Sequence, residues 1–223
     1  MNNFYKKLNL PNKLTLMRII FVIPLIIFIS FNVFIFKLYN SYSNMFISFK
    51  LNLSVWPFVV FFVFNIFILT IFILAMVTDY YDGKIARTQN LVSTFGKLWD
   101  PIADKLITTA TLIYLSIIWL TPYWVVILFI LRDIIVDGCR GLLIKNNQDV
   151  SASFWGKAKT MILSIGIVLV LLFSILFHFM NSPVYINNIS WWFLIINIPI
   201  FVSLFFSCFS GYLYIKKAWK FMF

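Results

Sequence analysis

Long apolar runs alternate with short polar segments along the whole chain, and this pattern predicts membrane helices. About 20 predominantly apolar residues in a helix cross a bilayer core, and several runs have about that length. The predicted spans are residues 19–36, 55–77, 98–120, 123–144, 158–180 and 191–215. The first run is too long for a signal-peptide core, which has about 7–15 apolar residues, and no small-residue cleavage site follows it.

Composition agrees with this pattern. The 223 residues are 62% hydrophobic and 20% aromatic, whereas soluble domains are about 45–50% apolar. We therefore predict an all-α polytopic membrane protein with a single integral membrane domain over residues 1–223. In this prediction an N-terminal surface helix within residues 1–18 precedes six transmembrane helices.

The basic residues predict the orientation of the spans. Lysines and arginines concentrate before the first span, between the second and third, around the connection from the fourth to the fifth, and at the chain end. The positive-inside rule then places both termini on the cytoplasmic side of the cell membrane. The net charge of +11 suits anionic lipid headgroups. Nucleic-acid binding is disfavoured, because the cations are spread over membrane-proximal loops.

Negative charge is scarce and concentrated. All seven acidic residues are aspartates, and four of them, Asp79, Asp82, Asp100 and Asp104, lie around the connection from the second span to the third. An ionised carboxylate near a bilayer centre costs about 2.5–3.5 kcal/mol on insertion scales, so such acids usually mark a functional site.

The aspartate spacing predicts a metal site. Asp79 and Asp82 are three residues apart and Asp100 and Asp104 four apart, so each pair shares one helix face. Neighbouring antiparallel helices would bring the pairs face to face. Such oxygens suit Mg²⁺ or Mn²⁺, and two ions could clamp a diphosphate. The alternative is a polar loop whose acids pair with nearby lysines and Arg87.

Small residues and one arginine accompany the acids. Gly83 and Ala86 leave helix surface bare, so that a ligand can approach closely. Gly96, one turn before Asp100, would do the same. Arg87 has a planar fork suited to a phosphate or a nucleotide carbonyl.

The whole spacing, D-x2-D-G-x2-A-R-x8-G-x3-D-x3-D, resembles the signature of the CDP-alcohol phosphotransferase family. The resemblance implies that family's six-helix fold, a homodimer, and transfer of a phosphatidyl or similar group from a CDP-linked donor to an alcohol with release of CMP. It also implies a two-metal centre on the four aspartates, with Asp104 as the base that deprotonates the acceptor. Gly83, Ala86, Arg87 and Gly96 would lie against the CDP-lipid.

A second charged group lies in the fourth and fifth spans. Arg132, Asp133, Asp137 and Arg140 fall at spacings that place them on neighbouring turns, and Lys157 and Lys159 begin the fifth span. Buried charges are paired or functional. The arginines and lysines would form a cationic pocket for a phosphorylated acceptor, or an internal salt-bridge network.

This region, R-D-x3-D-G-x-R followed by G-K-x-K-T, is similar to that of bacterial phosphatidylglycerophosphate synthases, a branch of the same family. The N-terminal L-P-N-K-L-T-L-M-R also resembles their N-P-N-x-L-T-x-x-R opening, with Leu10 in place of a polar residue. The resemblance implies glycerol 3-phosphate as acceptor and CDP-diacylglycerol as donor, among membrane lipids. Asn12 and Thr15 would then face the donor and Arg18 the acceptor phosphate. Other readings are a different acceptor (inositol phosphate or phosphatidylglycerol) and a cation transporter.

Overall fold

The structure, a computed structural model, describes residues 10–46, 56–88, 94–146, 154–180 and 191–221. These residues form six α-helices and no strand. The helices are α1 (Leu10–Phe46), α2 (Trp56–Thr88), α3 (Thr94–Ile117), α4 (Tyr123–Lys145), α5 (Phe154–Met180) and α6 (Trp191–Trp219). The all-α prediction is confirmed.

Four of the described helices are long and apolar enough to cross a membrane. The qualifying segments are Asn12–Leu38 in α1, Val59–Ile85 in α2, Ala158–Leu176 in α5 and Phe193–Trp219 in α6. The other two, α3 and α4, carry most of the acidic residues, which lowers their apolar character. Large apolar side chains such as Ile23, Phe34 and Phe205 are exposed on the helices, as expected for surfaces that contact lipid.

The helices extend beyond the predicted spans at their polar ends. Helix α2 continues through Thr88, so Asp79 and Asp82 lie on its last turns. Helix α1 begins at Leu10 and runs without interruption to Phe46, so the described part of the predicted surface segment and the first span are one helix. Pro11 falls in the first turn, where its missing N–H is tolerated.

By its contacts the chain divides into two compact units. Unit 1 comprises Met1–Tyr114 and Leu171–Val184, and unit 2 comprises Leu115–Val170 and Tyr185–Phe223. In unit 1, α1 packs along α2. The buried core of unit 1 includes Leu25, Ile68 and Phe72.

A buried polar network ties the helices of unit 1 together. The Nδ2 of Asn32 in α1 donates to the Tyr114 hydroxyl at 2.8 Å. That hydroxyl donates to Oδ1 of Asn65 in α2 at 2.7 Å, and Ser174 in α5 also reaches Asn65 Oδ1, at 3.4 Å. Polar side chains that bond across membrane helices fix which faces meet. This network therefore fixes the faces along which α1, α2 and α3 pack.

In unit 2, α4 packs against α6. The shared core contains Val136, Cys139, Leu143, Tyr214 and Ala218. Helix α5 approaches α6 closely at Gly166, where an added Cβ would lie 2.9 Å from Ile200 Cγ1. A side chain at Gly166 would therefore force the two helices apart.

A tight turn joins α3 to α4 within unit 2. Trp119 has a φ of 62°, in the left-handed region that non-glycine residues seldom adopt. Asn197 of α6 holds the turn, because its Nδ2 donates to the Leu120 carbonyl at 2.9 Å and its Oδ1 accepts from Thr121 at 3.1 Å.

Candidate active site

The four aspartates meet at one end of unit 1. Asp79 and Asp82 lie on the last turns of α2, and Asp100 and Asp104 on the first turns of α3. Their spacings of three and four residues turn each pair toward one side of its helix. We call Asp79, Asp82, Asp100 and Asp104 the aspartate cluster.

The guanidinium of Arg18, from the N-terminal part of α1, lies in the middle of the aspartate cluster. Its Nη1 donates to Asp79 Oδ1 and to Asp104 Oδ1, each at 2.6 Å. Its Nη2 donates to Asp82 Oδ2 and, at 3.3 Å, to Asp100 Oδ1. Arg18 is fully buried, and its Nε has no hydrogen-bond partner in the described part of the chain. One side chain therefore contacts all four carboxylates.

The same face of α1 adds two more polar residues. Thr15, one turn before Arg18, donates its hydroxyl to Asp100 Oδ1 at 2.6 Å. Asn12, a further turn away, is also buried. The three-residue spacing places these side chains on one stripe of the helix. The structure thus brings the N-terminal motif and the aspartate motif into one site.

The accessibility of the carboxylates differs sharply. The Asp82 side chain is 4% exposed, whereas those of Asp79, Asp100 and Asp104 are 35%, 39% and 39% exposed. Asp82 therefore faces the interior of the protein, where it pairs with Arg18. The other three can reach a molecule that enters the site.

The charges of the aspartate cluster do not balance. Among the ion pairs of the described residues, four carboxylates face one guanidinium, so the carboxylates of these pairs outnumber the cation by three. Carboxylate oxygens are the ligands that Mg²⁺ and Mn²⁺ prefer, so the donor set fits divalent ions. In the present arrangement the carboxylates surround Arg18, and no group of three acidic, histidine or cysteine side chains among the described residues is placed to share one ion.

The residue after Asp82, Gly83, has open space beside it. A Cβ added at Gly83 would have no atom within 4 Å, so the helix surface there is accessible to a ligand. Gly96 is buried on the first turn of α3. The side chains of Ala86 and Arg87 lie outside the described part of the chain, and their predicted contacts with the donor stay predictions.

A second charged group lies on α4, α5 and α6 in unit 2. Asp133 accepts hydrogen bonds from Arg132 Nη1 at 2.8 Å and from Lys159 Nζ at 2.6 Å. Arg132 Nε also donates to the Ser207 carbonyl at 2.8 Å. For Arg132 and Lys159, the predicted alternative of an internal salt-bridge network describes the contacts seen. Neither contact tests their predicted role toward a phosphate.

Arg140 differs from these two cations. It stacks on Tyr214, with Cζ 4.9 Å from the ring centroid, and its Nη2 donates to the Tyr214 hydroxyl at 3.3 Å. Among the described residues, its buried Nε has no hydrogen-bond partner and no carboxylate pairs with it. Arg140 is thus a positioned cation without an ion-pair partner in the part of the chain that the structure describes. Lys157, predicted beside it, has its side chain outside the described residues.

Two contacts of these sites were not predicted from the sequence. The sequence predicts Arg18 at the acceptor phosphate; in the structure its ion pairs with described residues are with the aspartate cluster, and its contact with a phosphate stays a prediction. The sequence does not predict a role for Tyr214, the stacking partner of Arg140. Its position near the basic end of the last apolar run was the available signal, because tyrosine often pairs an apolar contact with a polar one.

The chain matches known proteins over most of its length. Residues 8–205 match the pattern of the CDP-alcohol phosphatidyltransferase family. A CDP-diacylglycerol–glycerol-3-phosphate 3-phosphatidyltransferase of Bacillus subtilis is 37% identical over 150 residues, 67% of this chain and 72% of the relative. Proteins of the same name from Mycoplasma genitalium and Mycoplasma pneumoniae are 34% and 32% identical. Those matches cover 94% and 95% of this chain and 83% and 88% of the relatives.

Proposed function

The chain belongs to the CDP-alcohol phosphatidyltransferase family, and we propose that it transfers the phosphatidyl group of CDP-diacylglycerol to glycerol 3-phosphate. The products are phosphatidylglycerol phosphate and CMP. The shared name of relatives that align with nearly the whole chain supports this choice of donor and acceptor. The aspartate cluster is the observation that carries the chemistry, because it gathers four carboxylates at the end of apolar helices.

The membrane arrangement is part of the proposal. All six helices cross the cell membrane as a multi-pass protein, and both termini and the aspartate cluster face the cytoplasm. The asymmetric distribution of lysine and arginine supports this orientation. The protein acts as a homodimer. A cytoplasmic site would receive a water-soluble acceptor while the acyl chains of the donor stay in the bilayer.

Asp79, Asp82, Asp100 and Asp104 would hold two Mg²⁺ or Mn²⁺ ions. When bound, the ions would supply electrostatic stabilisation of the diphosphate and of the departing CMP. Phosphoryl transfer depends mainly on positioning and electrostatics, so the protein needs no covalent intermediate. Gly83, with open space beside it, gives the donor room to lie against α2, and Ala86, Arg87, Gly96, Asn12 and Thr15 complete the donor site.

Asp104 acts as the base. Its side chain is 39% exposed, so it can reach an acceptor hydroxyl, whereas the buried Asp82 cannot. The O–H bond of that hydroxyl breaks and the proton goes to the Asp104 carboxylate. The hydroxyl oxygen bonds to the phosphorus that carries diacylglycerol. The bond from that phosphorus to the CMP oxygen breaks, and CMP leaves with the electron pair.

The acceptor phosphate binds the cations of the second charged group. Arg140 contributes most, because its charge has no carboxylate partner among the described residues. Arg132 and Lys159 both pair with Asp133, so these three side chains together carry one net positive charge. Lys157 is the fourth predicted ligand.

An acceptor panel tests the proposal. Purified protein in mixed micelles with CDP-diacylglycerol and Mg²⁺ would be given labelled glycerol 3-phosphate, glycerol, inositol phosphate or phosphatidylglycerol in turn. We expect lipid-bound product and stoichiometric CMP with glycerol 3-phosphate alone. Preferred use of inositol phosphate or phosphatidylglycerol would keep the family chemistry and refute this acceptor. No CMP release with any acceptor would refute the transfer reaction.

A further inference from the structure

We propose that Arg18 is the built-in countercharge of the aspartate cluster and competes with divalent ions for it. The guanidinium and the ions would use the same carboxylate oxygens, so Arg18 must withdraw when ions bind. This inference rests on the proposed function, in which the aspartates hold ions. In this proposal Arg18 acts on the aspartates of the metal centre, whereas the sequence predicts a contact with the acceptor phosphate.

Arg18 and a bound ion would occupy the same space. Arg18 occupies one oxygen of each carboxylate: Oδ1 of Asp79, Asp100 and Asp104, and Oδ2 of Asp82. Its Nη1 lies 2.6 Å from two of these oxygens. A Mg²⁺ ion binds oxygen at about 2.0–2.1 Å and demands near-octahedral geometry. The guanidinium fills the space between these oxygens, and an ion that bound them there would lie against a like charge. The two therefore compete for this position.

The charge of Arg18 offsets the repulsion among the aspartates. Arg18 is fully buried, and a buried charge is costly unless it is paired. With the guanidinium in place, the aspartates have a partner when no ion is bound. Without it, four carboxylates would repel one another at short range. Arg18 therefore stabilises the ion-free protein, and for the same reason it weakens ion binding.

The guanidinium group and the surroundings of its Nε also fit this role. Each Nη of Arg18 bridges two carboxylates, a geometry that the planar fork of arginine permits and the single ammonium of lysine does not. The buried Nε has no partner among the described residues, although buried polar groups of a purely structural arginine are normally satisfied. Within the described part of the chain, the aspartates thus hold the cationic end of the side chain.

The test uses Mn²⁺ alone, without donor or acceptor. Full-length protein in detergent would be freed of metal and titrated with Mn²⁺, with free ion followed by electron paramagnetic resonance. Thermal unfolding would be recorded with and without Mn²⁺. The variants are Arg18→Gln, Arg18→Lys and the control Lys84→Gln. Lys84 is an exposed lysine two residues from Asp82, so the control removes the same unit charge nearby.

Arg18→Gln should bind Mn²⁺ more tightly than wild type, by roughly 5–150-fold, the range of typical coupling between sites. The same variant should unfold at a lower temperature without Mn²⁺ and gain more from its addition. Arg18→Lys should fall between Arg18→Gln and wild type. Lys84→Gln should bind within about twofold of wild type, because water screens exposed charges. A merely structural arginine would lower stability without tightening Mn²⁺ binding.

Equal or weaker Mn²⁺ binding by Arg18→Gln, with wild type still binding, would overturn this proposal alone. If neither protein binds Mn²⁺, the ion-holding role of the aspartates in the proposed function falls as well. Should Arg18→Gln fail to fold, phenylglyoxal labelling of wild-type Arg18, located by mass spectrometry, decides the matter. Labelling that rises with Mn²⁺ supports withdrawal of Arg18, and labelling that stays constant or falls contradicts it.

Discussion

Arg140 offers the sharpest test of acceptor binding, through the substitution Arg140→Gln. The arginine is held by Tyr214 and has no carboxylate partner among the described residues. A hydrogen bond to a charged group contributes about 1.5–3 kcal/mol. At about 1.4 kcal/mol per tenfold change, the KM for glycerol 3-phosphate should rise roughly 10- to 150-fold. The KM for CDP-diacylglycerol should stay within about twofold, because Arg140 is not among the residues proposed to contact the donor.

The structure also supplies a matched control for Arg140→Gln. Loss of the contact between Arg140 and the Tyr214 ring, 4.9 Å away, should cost about 0.5–2 kcal/mol of stability. Tyr214→Phe removes the hydroxyl but keeps the ring and the arginine charge. It should therefore leave the KM for glycerol 3-phosphate within about threefold. The lost hydrogen bond is long, at 3.3 Å, and Arg140 keeps both its charge and its ring contact.

The assay is steady-state kinetics in mixed micelles, with each substrate varied at saturating levels of the other. Arg140→Lys keeps the charge and should recover part of the lost affinity. The reasoning is refuted if Arg140→Gln raises both KM values equally, or if it lowers kcat alone. Either result would mean that Arg140 organises the protein rather than binding the acceptor phosphate.

Three further predictions follow from other parts of the structure. Asp104→Asn should lower kcat by about 10²–10⁴-fold, the usual contribution of a general base, while CDP-diacylglycerol still binds in a filtration assay; near-normal turnover would remove the base assignment. Gly83→Ala should leave thermal stability intact, because an added Cβ meets no atom within 4 Å, yet raise the KM for CDP-diacylglycerol. The control Gly141→Ala, with equally open surroundings, should leave the KM for CDP-diacylglycerol unchanged. If the two variants have the same KM for this donor, the donor does not approach Gly83. Tyr114→Phe removes a buried hydroxyl that accepts a hydrogen bond from Asn32 and donates one to Asn65. This variant should lower the free energy of unfolding in detergent by about 1–3 kcal/mol without changing kcat. Unchanged stability would contradict the proposed role of this network.

The helices could be predicted from the sequence because membrane spans are long and apolar. The predicted fourth and sixth spans begin at the residues where α4 and α6 begin, Tyr123 and Trp191. The polar ends could not be predicted in the same way. Hydropathy falls after residue 77, but backbone hydrogen bonding continues α2 to Thr88.

The limits of the sequence are clearest at Arg18. A basic residue near the start of an apolar run is as typical of a position at the membrane surface as of a buried site. Local spacing does not indicate partners that lie far along the chain. Its carboxylate partners are 61–86 residues away. Packing of α1 along α2 brings Arg18 to Asp79 and Asp82, and its contacts with α3 bring it to Asp100 and Asp104. The aspartate pairs, by contrast, were predictable, because three- and four-residue spacings are a local property of a helix.

The central claim is that the aspartate cluster performs divalent-ion-dependent phosphatidyl transfer to glycerol 3-phosphate. Its most direct test is the rate of CMP and phosphatidylglycerol phosphate formation by purified protein, first in excess chelator and then with increasing Mg²⁺ or Mn²⁺. We predict no product in chelator, restoration by either or both ions, and no restoration in an Asp100→Asn variant that is still folded. Product formation that continues in chelator, or that survives loss of Asp100, would contradict the claim.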